Sequence, residues 1–176
     1  MSTTKWAVDP SHSEIGFKVK HMMFTNLSGN FTAFEAAAET NDESFENASF
    51  TFSAKADSVN TGNADRDGHL KSGDFFDAEN HPEITFTSTG FSKNQGDYYT
   101  LTGDLTVRGV TKSVTLDAEF GGVARDPWGN VKAGLSVTGK INRKDFGLTW
   151  NSALETGGVL VGEEVKLNIE LQFVKQ

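Results

Sequence analysis

Val165-Lys166-Leu167-Asn168-Ile169-Glu170-Leu171-Gln172-Phe173 places an apolar side chain at every odd position and a polar one at every even position. A period of two marks a strand with one buried face, because successive side chains on a pleated strand point to opposite sides. The alternation recurs upstream. Ile15, Phe17 and Val19 alternate with Gly16, Lys18 and Lys20, and Phe50, Phe52, Ala54 and Ala56 with Thr51, Ser53 and Lys55. Ile84 and Phe86 alternate with Thr85 and Thr87. Tyr99, Leu101, Leu105 and Val107 share a parity interrupted at Gly103. Val114, Leu116, Ala118 and Phe120 share another, and Val131, Ala133, Leu135, Val137 and Ile141 a third. With Leu27–Glu39 added, the pattern gives about eight strands, several near ten residues long. Long strands with one apolar face predict an all-β, antiparallel sheet. Eight of them close most economically into an up-and-down barrel, which leaves no open edge. Gly29, Gly103, Gly134 and Gly139 are expected to permit the bends of closure. Asn94–Asp97, Arg108-Gly109 and Asp126–Asn130 read as connecting turns.

Composition agrees and narrows the function. The 176 residues form one domain, 1–176, with 14 Phe against 2 Tyr and 3 Trp. That is aromatic volume with few polar handles, suited to a dry interior. The net charge of -8 opposes nucleic-acid binding. No stretch reaches the ~18 apolar residues of a membrane span, so stable membrane insertion is not expected. Cysteine is absent, which removes disulfides, thiolate nucleophiles and Cys-ligated metals. Met1–Trp6 has no apolar leader core, so the expectation is a cytoplasmic protein, or a periplasmic one if a leader has been removed.

Two segments break the alternation. Asn63 as N-cap, Asp65 in the first turn and Gly73 as a stop predict a short helix at about 63–72. Phe75 and Phe76 follow it and would plug one barrel end. The second break, at about 142–155, predicts an irregular loop with a helical turn.

Catalytic chemistry finds little support. His12, His21, His69 and His81 have no metal-ligand spacing, and there is no Gly-x-Ser-x-Gly. No catalytic residue, metal or cofactor is expected, and His69 and Asp67 are assigned to structural hydrogen bonds. Two rivals stay open: an enzyme acting on a small hydrophobic substrate with His21, His69 or His81 as base, and a ligand-free structural or stress protein with a filled barrel. Inward positions mix large residues with small ones such as Ala54, Ala118 and Ala133. That mixture fits complementary packing and an internal cavity equally well.

Specific strings add a resemblance. They are Trp6–Phe17, Lys20-His21, Gly29–Phe31, Asp67–Asp77, His81–Phe86, Gly103–Lys112 and Ile141–Gly147. In this order they resemble the YceI-like family over nearly the whole chain. The resemblance implies a lipocalin-like eight-stranded barrel with an apolar channel for a long-chain amphiphile, an isoprenoid or acyl lipid. It also implies a homodimer and carries no catalytic motif. The expected function is to bind and carry or sequester such a lipid.

Strand parity then nominates the channel lining: Ile15, Phe17, Val19, Phe31, Phe50, Phe52, Ile84, Phe86, Leu101, Leu105, Leu116, Phe120, Leu135, Val137, Ile141, Phe146 and Trp150. Leu70, Phe75 and Phe76 would close one end. Arg108, Lys112, Arg143 and Lys144 read as solvated turn charges. In the sharper alternative Arg143, with Arg108, meets an anionic headgroup at the channel mouth.

Overall fold

The computed structural model describes residues 3–41, 44–151 and 160–176. The strands are β1 (Thr3–Val8), β2 (Glu14–His21), β3 (Thr25–Phe31), β4 (Phe34–Asn41), β5 (Ser44–Lys55), β6 (Val59–Asn60), β7 (Glu83–Gln95), β8 (Tyr98–Val107), β9 (Val110–Arg125), β10 (Val131–Asn142) and β11 (Val161–Lys175). One α-helix, α1 (Ala64–Lys71), lies between β6 and β7.

These segments make eight staves. β1 and β2 are halves of one stave, interrupted by the 3-10 turn Pro10–His12, and β3 and β4 are halves of the next. β11 pairs with β10 on one side and with both β1 and β2 on the other, which closes the eight-stranded barrel. The ladders are antiparallel, as the one-faced alternation requires.

The glycine expectation holds in part. The register shifts between Gly134 and Leu135, a bulge that bends β10. Gly29, Gly103 and Gly139 serve space instead: a Cβ there would strike the rings of Phe17 and Phe86 and the Leu116 side chain. The Arg108-Gly109 turn has φ of 50° and 74°, the double left-handed geometry of a tight hairpin.

α1 begins where expected, with the Asn63 side chain accepting from Arg66 N at 3.0 Å. It stops at Lys71, one residue short of the prediction; the Ser72 N–H and hydroxyl both donate to His69 O. The segment after β10 forms the 3-10 turn Arg143–Phe146, ended by left-handed Gly147 at φ 79°. Residues 152–155 of the predicted loop lie outside the described residues.

Candidate functional site

The inward faces of the staves do two different jobs along the barrel axis. At the end holding the β7–β8 and β9–β10 hairpins, aromatic rings fill the interior. Trp6 and Phe45 lie 5.0 Å apart between centroids, Phe45 and Phe120 4.8 Å, Phe50 and Phe91 4.9 Å, and Phe91 stacks on Tyr99 at 4.5 Å. Trp6 is 1% exposed, and its indole N–H donates to Thr40 Oγ1 at 2.9 Å, so the plug buries no unsatisfied donor.

Above the plug the rings stop meeting. A cavity of about 200 Å³ runs from Phe50, Phe173, Leu101 and Leu135 to the end that carries α1. One water needs only ~10–15 Å³ measured this way, so this is far beyond a packing defect. Phe17, Val19, Phe52, Leu167, Ile169 and Leu171 point inward yet remain partly exposed. A filled barrel would bury them fully, so their exposure is to the cavity itself.

Strand parity locates most of this wall. Ile15, Phe17, Val19, Phe31, Phe50, Phe52, Ile84, Phe86, Leu101, Leu105, Leu116, Leu135, Val137, Ile141 and Phe146 all line it, as do Leu70, Phe75, Phe76 and Arg143. Phe120 and Trp150 do not. Phe120 points inward as the register partner of Leu135, but at the plug, where Phe45 occupies the space beside it. Trp150 packs outside the lining, 4.6 Å from the His69 ring and 5.5 Å from Phe75. The wall also includes Val165, Leu167, Ile169, Leu171 and Phe173 of β11, which the nominated set omitted although their alternation is the clearest in the chain. Ala36 and Ala54 were omitted too; as small inward residues they leave room rather than fill it.

At the other end the wall is built by irregular segments. β3 pairs with β2 on one side and only with two-residue β6 on the other. Leu70, Phe75 and Phe76 complete the wall there, with Phe76 edge-on to Phe31 at 5.7 Å. Arg108 fastens this cover by donating from Nη1 to Phe75 O at 2.9 Å. Asp67 and His69 both make hydrogen bonds within this cover. Asp67 accepts from the Thr61 N–H and hydroxyl, and His69 Nε2 pairs with Asp74 Oδ2 at 2.8 Å.

Arg143 departs from the solvated-turn expectation. It is 4% exposed. Its Nε donates to Gly162 O at 2.8 Å, its Nη1 to Leu148 O at 2.6 Å and Trp150 O at 2.9 Å, and its Nη2 to Val161 O at 3.2 Å. Burial lowers its pKa from the ordinary value, partly opposed by Glu163. The guanidinium sits 5.9 Å from the Phe75 ring centroid. It is a four-point clamp tying residues on both sides of the 152–159 segment to the cavity end.

Chemically, the wall offers hydrocarbon. Thr51 and Arg143 are its polar residues among those described, the Thr51 side chain facing outward between inward Phe50 and Phe52, and no histidine, serine or carboxylate lines it among the described residues. His12 instead pairs with Asp9, His81 packs over Gly109, and no cluster of metal-ligating side chains occurs among the described residues. The geometry defines a closed β-barrel with an apolar internal cavity.

A YceI-like domain model matches residues 6–173, and the chain belongs to that family. A UPF0312 protein of Staphylococcus aureus is 39% identical over 171 residues, 97% of each chain. The Campylobacter jejuni YCEI protein superposes with a TM-score of 0.77 at 38% identity, over 96% of each chain. A polyisoprenoid binding domain from Saccharophagus degradans, implicated in plant cell wall breakdown, shares the fold with a TM-score of 0.68 at 14% identity, over 97% of this chain and 98% of its own.

Proposed function

We propose that the protein binds a long-chain amphiphilic lipid, isoprenoid or fatty-acyl, in the barrel cavity and carries or sequesters it without chemical change. The observation that carries this is the wall: an open interior bounded by aliphatic and aromatic side chains, with no proton-transfer group facing it among the described residues. Burying one methylene contributes ~0.8 kcal/mol, so about twenty carbons gain on the order of 16 kcal/mol gross. Association and chain ordering offset much of this, and the remainder suffices for tight binding without polar recognition of the tail. The polyisoprenoid-binding character of the Saccharophagus degradans domain supports the same ligand class. Arg143 is the one charged residue of the lining among the described residues. Four of its five guanidinium N–H groups serve loop carbonyls and its polar atoms are withdrawn from the cavity surface, so the proposal assigns recognition to the apolar tail rather than to a headgroup on Arg143. The proposal includes a cytoplasmic homodimer, to be tested by cell fractionation and sedimentation velocity.

Mass spectrometry of an organic extract of the purified protein is the direct test. A stoichiometric long-chain lipid is the expected result. Its removal should lower the melting temperature, because ligand that binds only the folded state stabilises it. A lipid-free protein whose melting is unmoved by added isoprenoid or fatty acid overturns the carrier function.

A further inference from the structure

The turn between β2 and β3 consists of Met22, Met23 and Phe24, and all three face solvent at 41%, 56% and 77% exposure. Met22 and Met23 also hold left-handed backbone, with φ of 53° and 67°. Gly and Asn are the residues that suit such positions, so turn chemistry does not account for methionine there. Location does. The Met22 N–H donates to Leu160 O at 2.7 Å, and His21 pairs with Val161, a residue of the cavity wall held by Arg143. The apolar tip stands at the loop-built end of the cavity.

Independent of the tip is a row of charge. Lys140, Lys166 and Lys18 are direct register partners across β10, β11 and β2. Their strand neighbours Ile141, Leu167 and Phe17 face the cavity, so the three lysines face outward, and Lys20 adds a fourth nearer the tip. Like charges opposite one another on a sheet repel, and here they gather on a chain whose net charge is -8. Glu164 lies 4.0 Å from Lys140, and Glu163 is engaged by Lys144 at 2.7 Å. Lys18, Lys20 and Lys166 have no ion-pair partner among the described residues. Glu14 and Glu170, register partners of each other, sit farther from the tip.

We propose that this end of the barrel docks on an anionic phospholipid bilayer. Met22, Met23 and Phe24 enter the boundary between headgroups and acyl chains, while Lys18, Lys20, Lys140 and Lys166 meet the lipid phosphates. An apolar tip beside a basic surface is the combination that holds a protein at such an interface. A second copy of the chain fits less well. A two-fold contact through the tip sets the same patch on both subunits against itself and brings the two lysine rows together. The inference rests on the lipid-carrier function and adds to it the place of transfer: the cavity end opens against the membrane that supplies or receives the lipid.

The test is co-sedimentation of the full chain with phosphatidylcholine vesicles made with and without phosphatidylglycerol. The wild type should partition onto the anionic vesicles about tenfold more strongly than onto the neutral ones, and less so as salt rises. Met23→Ser with Phe24→Ser, both at exposed positions, should weaken partitioning by about tenfold with melting unchanged. Lys18→Gln, Lys20→Gln and Lys166→Gln together should erase the preference for anionic vesicles. Equal partitioning onto both vesicles, or a tip variant that partitions like wild type, overturns the docking role. So does a tip variant that changes only the sedimentation coefficient, which assigns the tip to an interface between copies. Lipid extraction of the same preparations separates the two functions. Bound lipid without vesicle partitioning overturns docking alone, and partitioning without bound lipid overturns the carrier function alone.

Discussion

Arg143 donates four hydrogen bonds to the carbonyls of Leu148, Trp150, Val161 and Gly162 and pairs with no carboxylate among the described residues. In the string Asn142-Arg143-Lys144-Asp145 it looks like any turn charge, and its neighbour Lys144 behaves as one, exposed and bridged to Glu163. What separates the two is the 3-10 turn, capped by Asn142, which aims Arg143 inward while Lys144 faces out. Nothing in local sequence carries that direction, because the partners are carbonyls and every residue has one. Phe120 failed for a related reason: its inward parity was legible, but whether Phe45 would reach the same space was not. Lysine cannot reproduce a fork that serves four acceptors. Hydrogen bonds to a charged group contribute ~1.5–3 kcal/mol each, so Arg143→Lys should cost about 3 kcal/mol. For a chain of this size that lowers the melting temperature by roughly 6–12 °C in a thermal unfolding scan. A change of under about 2 °C would show that the clamp contributes little to stability.

Elements that rest on period-two alternation were the most legible. β8 buries Tyr99, Leu101, Leu105 and Val107 as its parity says, and β11 alternates from Val165 to Phe173. The interruptions were less legible. Leu27–Glu39, read as one segment, divides into β3 and β4, and β1, which the alternation did not reveal, precedes β2 across a 3-10 turn where Asp9 accepts from the Ser11 N–H and hydroxyl and from His12 Nδ1. The Ser11 and His12 hydrogen bonds lower the Asp9 pKa to about 2. An unfolded Asp titrates near ~3.9. The folded value lies below it, so this stabilisation is fully present above about pH 4 and is lost as pH falls through about 2. Asp9→Asn should therefore melt below wild type by a constant margin between about pH 5 and 7, and the margin should close between about pH 4 and 2. A margin that stays constant down to about pH 2 would mean that the carboxylate charge is not what holds the turn.

The cover over the other barrel end has a comparable small lock. His69 bonds Asp74 and sets its ring edge-on to Trp150 at 4.6 Å and Phe75 at 5.1 Å. His69→Asn should lose about 1–2 kcal/mol as these ring contacts go, while extracted lipid stays at the wild-type level. A protein that melts normally but no longer retains lipid would move His69 from structure to recognition.

At the scale of the whole molecule the decisive property is an emptiness, and emptiness has no residue type. Parity says which side chains point inward; it does not say whether those on opposite staves touch. At the plug they do, because Trp6, Phe45, Phe91 and Phe120 fill the bore, and above it aliphatic β11 and glycine-backed staves leave it open. Ile169 sits midway, between register partners Val137 and Ile15, inward and only partly buried. Ile169→Trp tests the emptiness directly. In a filled barrel the larger ring would overpack the core and cost ~1–3 kcal/mol or more. In an open cavity it should lie in free space, gain apolar contacts and leave the melting temperature of the lipid-free protein within about 3 °C of wild type. The ring should nonetheless occupy the volume a lipid tail needs, so lipid recovered by extraction should fall severalfold. Unchanged melting with unchanged lipid would place the ligand elsewhere than in the barrel. A collapse in melting would mean that the interior around Ile169 is packed in solution and that the open bore is not available to a ligand.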